Sequence, residues 1–150
     1  MREFSIFDAA KVIGKDHTAI REWFKFDYIP LNREQKAQGR GTKTVLYTED
    51  LYRLKAFEIL LNAGIKREYA ASYINYLHEK NPKRPKEFNW EGYHLRYLKS
   101  HDGVIQMALD SDKELKQHFR EQAKNIQNRI FIETIINLRT VKDLVDKNIP

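Results

Sequence analysis

FDAAKVIGKDHTAIREWFKFDYIP, residues 7–30, holds two short helical patterns separated by a tight break. Ala9, Ala10, Val12 and Ile13 supply the apolar face of the first. Gly14-Lys15-Asp16 is the break, with Gly14 free to take the positive φ that ends a helix. Asp16 reads as the N-cap of the second pattern, where Ala19, Ile20, Trp23 and Phe24 recur at helical spacing. Two helices joined in this way read as a helix-turn-helix, whose second helix enters the DNA major groove with its N-terminal end leading. On that reading His17, Thr18, Arg21 and Lys25 face nucleic acid while Ile20 and Trp23 pack inward. Taken alone, the stretch leaves an ordinary helical hairpin open as the alternative.

Outward from this core, Phe4 and Ile6 alternate with polar neighbours and read as a short strand or anchoring arm. Downstream, Tyr28–Leu31 and Thr44–Tyr47 flank the polar run NREQKAQGRGTK, which predicts a β-hairpin with a long tip. That tip carries Arg33, Lys36, Arg40 and Lys43 against the single acid Glu34. A basic hairpin after a helix-turn-helix reads as a wing lying along the phosphate backbone, a solvated loop being the alternative. Thr48-Glu49-Asp50 then begins a helix with Thr48 as N-cap and acids in its first turn. Leu51, Leu54, Phe57, Ile59, Leu60 and Leu61 form its core face, and it stops at Ala63-Gly64. A further helix runs from Lys66 to about His78, with Tyr69, Ala70, Tyr73, Ile74 and Leu77 on one face.

At this point three pieces together resemble the MerR family of transcriptional regulators, across about the first 75 residues. Ile20-Arg21-Glu22-Trp23 with Ile29-Pro30 is similar to the family's recognition helix and exit. Leu46-Tyr47-Thr48-Glu49-Asp50-Leu51-Tyr52-Arg53-Leu54 is similar to the start of its third helix, and Leu61-Asn62-Ala63-Gly64-Ile65 to the junction that follows. The resemblance implies a winged helix-turn-helix that binds operator DNA as a dimer, with a variable C-terminal part. It implies a DNA contact for Arg21 and a contact after the wing for Tyr47. The chain departs from the pattern at Val45, where the family has arginine, at Phe24, where it has an acid, and at Asp27-Tyr28, where it has glycine-leucine. Its wing tip is also longer. Excisionase-type proteins of mobile elements share the same DNA-binding architecture.

NPKRPK, residues 81–86, is a Pro-rich basic break and reads as a linker. Beyond it, two strand-like runs around His101-Asp102-Gly103 predict a hairpin, with a pair of short helices as the alternative. Ser111 and Glu114 fit a capping box, and a helical pattern follows from Lys113 to about Lys147. Leu115, Phe119, Gln122, Ile126, Ile130 and Glu133 keep 3–4 spacing, and the run from Ile130 to Leu138 is apolar nearly all round. A helix of that kind must be covered. MerR-like regulators pair through a C-terminal helix, so Phe119, Ile126, Ile130, Ile132 and Ile136 are expected at a homodimer interface.

The charge of +6 over 150 residues suits a polyanionic partner. No apolar run approaches the roughly 20 residues of a membrane span, and the start MREFSIFDAA lacks a signal-peptide pattern, so the expectation is cytoplasmic, with the nucleoid as its site when DNA-bound. Cysteine is absent, which removes disulfides and thiolate chemistry. No His pair has helical metal-site spacing, no phosphate loop or hydrolase motif is present, and no cofactor is expected. Phe88, Trp90, Tyr93 and Tyr97 read as core of a C-terminal module, with a pocket for a cationic or planar effector as the alternative.

The expected architecture is mainly α: a MerR-like winged helix-turn-helix over residues 1–79, a linker and hairpin module over 80–110, and a long dimerisation helix over 111–150. The expected function is sequence-specific binding of double-stranded DNA by a homodimer, without enzymatic activity. The rival expectation is a protein-interaction or architectural module of a phage or mobile element.

Overall fold

Ser5 opens the first helix through a reciprocal cap: its hydroxyl accepts the Asp8 N–H at 3.1 Å while the Asp8 carboxylate accepts the Ser5 N–H at 2.9 Å. The computed structural model describes residues 2–79, 88–100, 102–124 and 131–150. The chain divides into two units, residues 1–88 with 143–150 and residues 89–142.

In the first unit, helix α1 (Ile6–Ile13) ends at Gly14, which takes φ +76° and returns its N–H to Ala10 O at 2.9 Å. Asp16 caps α2 (His17–Lys25), and the chain leaves α2 through Asp27 at φ +55°. A single 3₁₀ turn (Arg33–Gln35) follows, then strand β2 (Leu46–Tyr47), α3 (Thr48–Asn62) and α4 (Arg67–Glu79). The N-terminal strand β1 (Glu3–Phe4) pairs antiparallel with β2, Glu3 opposite Tyr47 and Phe4 opposite Leu46. Val12, Ile13, Ile20, Trp23, Ile29, Leu46, Leu51, Leu54, Phe57 and Leu60 are buried together with Ile65, Tyr73, Ile74 and Leu77. Tyr52 of α3 donates to the Asp146 carboxylate at 2.6 Å. Burial first, and then Asp146, push its phenol well above the ordinary value of 10.

The second unit holds strands β3 (Tyr93–Ser100), β4 (Ile105–Ser111) and β5 (Phe131–Asn137) in the order β4-β3-β5, all antiparallel. β3 and β4 form the expected hairpin, turning at Gly103 with φ +86°. Leu95 lies opposite both Leu109 and Ile136, and all three are buried. The other face carries Arg96, paired with Asp110 at 2.6 Å, and Glu133, which sits 2.6 Å from His118 of helix α5 (Asp112–Lys124). Ser111 and Glu114 cap α5 reciprocally, at 3.2 and 3.3 Å.

Two expectations are corrected. Among the described residues the chain is an α/β mixture of six helices and two small antiparallel sheets, 53% helical and 19% strand, rather than a mainly α winged helix-turn-helix with a long dimerisation helix. Residues 111–150 are not one helix: α5, β5 and α6 (Leu138–Asn148) share them. Ile132, Thr134 and Ile136 fall at every second position, and their β-branched side chains favour a pleated surface. The apolar run therefore completes a sheet beside β3. Ile136 is spent inside that sheet, Ile132 lies opposite Lys99 in the β3–β5 ladder, and Phe119 stands exposed on α5. Ile126 and Ile130 lie outside the described residues, as do the linker 81–86 and His101.

The second correction concerns the wing. β2 finds its partner in the N-terminal arm, not in Tyr28–Leu31, so the expected hairpin does not form. Between Pro30 and Leu46 the chain is an irregular loop closed by the Val45 N–H bonding Gln35 O at 2.9 Å. Helix α3 is capped one residue earlier than expected, with Tyr47 at the cap position and its N–H held by the Asp50 carboxylate at 2.8 Å.

Candidate nucleic-acid interface

Helix α2 is fixed from its inner side. Trp23 meets Phe57 of α3 edge-on at 4.9 Å between ring centroids, and Tyr28 stacks on the same ring at 5.7 Å. Lys55 of α3 donates to Ile13 O at 3.2 Å, satisfying one of the open carbonyls at the end of α1. With Ile20 and Trp23 turned inward, Thr18, Arg21 and Lys25 stand exposed on the opposite face and His17 is half-buried.

The leading end of α2 is ordered by short contacts. Asp16 accepts the Thr18 N–H at 2.7 Å, and this bond above all holds its carboxyl below the usual carboxylate value of 3.8. The Thr18 amide is thus taken, which leaves the hydroxyl as the group Thr18 offers outward. The His17 ring lies 4.6 Å from the ring of Phe7, and the Arg21 guanidinium sits 5.3 Å above that same ring. At the trailing end Lys25 lies 6.0 Å from the Phe26 ring.

The loop after α2 presents Arg33, Lys36, Arg40 and Lys43, all exposed. Lys36 is tied back to Asp27, just beyond α2, across 3.7 Å. Arg40 lies within, and Lys43 directly after, a turn in which the Thr42 hydroxyl and N–H both bond Gly39 O, at 2.7 and 3.2 Å. The loop is anchored by a buried polar group. Gln35 donates to Val45 O at 3.2 Å and to the Asp50 carboxylate at 2.6 Å, and Asp50 is also paired with Arg53. Glu49 stands 3.4 Å from the same guanidinium. Tyr47 is half-buried at the start of α3.

The nine basic, hydroxyl and aromatic residues expected to meet DNA therefore fall in one unit. His17 and Arg21 converge on Phe7, and Lys36 is linked to the exit of α2. Arg33, Arg40 and Lys43 share the anchored loop, and Tyr47 sits where that loop rejoins α3.

Two features were missed from sequence. Phe7 lies off the buried stripe of α1, and an aromatic out of phase with Ala9, Val12 and Ile13 was the available signal. Gln35, Asp50 and Arg53 are a buried polar group drawn from a polar loop and a helix, which leaves no periodic trace. Among the described residues no three or more His, Asp or Glu side chains are placed to hold a metal, and no helix is long and apolar enough to cross a membrane. The chain matches no protein-family model and no curated protein sequence.

Proposed function

We propose that this chain binds double-stranded DNA sequence-specifically, as a homodimeric transcriptional regulator of the MerR kind. In this reading α2 enters the major groove and the basic loop lies along the phosphate backbone. The observation that carries it is the division of α2 into two faces. One face is locked against α3 through Trp23, while the other projects Thr18, Arg21 and Lys25 beside a loop bearing four further cations. A rigid helix presenting polar and cationic side chains at its leading end is what direct readout of base edges requires. The net charge of +6 adds the sequence-independent attraction to phosphate.

Selection of bound sequences from random duplex DNA at moderate salt tests the reading. The expected result is an enriched inverted repeat, with affinity falling steeply as salt rises, by a log–log slope of about −0.9 per phosphate neutralised. Enrichment of a single unrepeated motif would remove the homodimer from the reading. Failure to enrich any motif would remove sequence-specific recognition.

A protein-interaction role is the second reading, and the exposure of Phe7 and Phe26, 52% and 53%, favours it. Exposed aromatics are common anchors of protein interfaces. Retention on heparin that vanishes with salt separates the two, since an aromatic-anchored interface does not follow the counterion slope.

A further inference from the structure

Phe7 is a large apolar side chain left more than half exposed at the leading end of α2. It is not loose there: the His17 ring is tilted 36° against it at 4.6 Å, and Arg21 holds its guanidinium 5.3 Å over it. Two helices thus bring an apolar ring and a forked cation side by side on the surface offered to DNA. The cation–π contact restricts the Arg21 side chain before any ligand arrives, so less rotamer freedom is lost on binding.

We infer that Phe7 and Arg21 together read a two-base step, a guanine next to a pyrimidine that carries a 5-methyl group. The inference rests on the proposed DNA binding. Its chemistry follows from what the major groove displays. Guanine offers two acceptors, N7 and O6, that match the two parallel N–H bonds of a guanidinium. The thymine methyl is the apolar group that the groove presents, and an aromatic edge is a fitting surface for it. A cation alone would prefer guanine and ignore its neighbour. The exposed ring beside Arg21 extends the reading by one base. 5-Methylcytosine carries the same methyl group and is recognised by the same surface.

The test uses the full chain and the duplex selected for binding it. In one arm the thymine beside the essential guanine is replaced by uracil, which deletes the methyl alone. In a second arm cytosine and 5-methylcytosine are compared at that position. Uracil is expected to weaken binding about fourfold, the worth of one buried methyl group, and 5-methylcytosine to bind tighter than cytosine by a similar factor. Phe7→Ala should bind the thymine and uracil duplexes alike, and Phe7→Leu should restore part of the difference. Discrimination of thymine over cytosine with no effect of the methyl would mean that pairing chemistry, not Phe7, sets the preference, and would overturn the inference. Equal affinity for thymine and uracil, with Arg21→Ala still weakening binding to the selected duplex, overturns the Phe7 assignment and leaves the DNA reading standing. Absence of any selected motif overturns both.

Discussion

The Gln35 side chain donates to the Asp50 carboxylate at 2.6 Å, below the protein surface, and through that bond the basic loop hangs from the first turn of α3. The same amide also bonds Val45 O, and Gln35's own oxygen accepts the Asn32 N–H at 3.2 Å. One side chain therefore closes both ends of the loop that carries Arg33, Lys36, Arg40 and Lys43.

Gln35→Ala should destabilise the protein by about 1–2 kcal/mol, because it removes the side-chain donor to the Val45 carbonyl and one of the two donors to Asp50 Oδ2, which keeps the Tyr47 N–H. Urea unfolding reads the loss directly. In the folded variant the loop lacks that tether to α3. DNA affinity should then fall while its salt slope stays nearly constant, because the cations remain and only their placement is lost.

Asp50→Asn should cost more. Arg53 is buried, its Nε has no hydrogen-bond partner among the described residues, and Asp50 and Glu49 together compensate its charge. Removing one carboxylate leaves a buried cation half matched, at a cost of about 3 kcal/mol, the low end for a broken buried pair because Glu49 stays. Adding Arg53→Met should recover part of that loss. If the double variant is less stable than Asp50→Asn alone, the burial of Arg53 is not the cause.

The two halves of the chain differ in how readily they could be read from sequence, and the reason is where their information sits. Gly14 and Asp16 mark the end of one helix and the start of another by their own conformational and capping chemistry, so α1 and α2 were legible locally. The run from Ile130 to Leu138 satisfies both a period of two and a spacing of three to four. Only its pairing with β3, over 30 residues away in sequence, selects the strand. The strand at β2 is legible in the sequence but its pairing is not, since its partner lies at the N-terminus rather than across the nearer loop. Within the candidate site the cations were visible as residue types, whereas Gln35 looks like any loop glutamine until Asp50 is folded next to it.

Arg21 is exposed and makes its described contact with the Phe7 ring, so Arg21→Ala should leave the fold nearly unchanged, within about 0.5 kcal/mol. On the proposed function it should weaken specific binding by about 1–3 kcal/mol and relax selectivity at one base pair. Binding isotherms against the selected duplex and a scrambled one provide the measurement. Unchanged affinity for the selected duplex would sink the role given to α2.

Asp27 occupies the left-handed region at φ +55°. Asp tolerates this conformation better than most residues, yet still with strain that glycine lacks. Its link to Lys36 is exposed on both sides, so breaking it costs little. Asp27→Gly should therefore be neutral or stabilising by up to about 1 kcal/mol, read from the urea midpoint. A clear loss of stability would show that the Asp27–Lys36 pair matters more to the turn than the backbone does.

The N-terminal caps of α1 and α2 each use a carboxylate whose ionised form the fold prefers, Asp8 closing the box on Ser5 and Asp16 capping α2 itself. The Ser5 N–H and hydroxyl hold Asp8 below 3.8, and the Thr18 N–H does the same for Asp16. A carboxyl with a depressed folded-state value binds protons more readily when unfolded. Its contribution is thus complete above 3.8 and disappears as pH falls through the lower folded value. Melting temperature should hold steady from neutral pH down to about pH 5 and then decline towards about pH 3. Asp16→Asn keeps a capping oxygen and removes the titration, so its deficit against the parent should shrink as acid is added. A constant deficit across that range would place the acid sensitivity in other carboxylates. Because Asp16 sets the start of the helix that bears Thr18 and Arg21, DNA affinity should decline in the same acid range in the parent and less in the Asn variant.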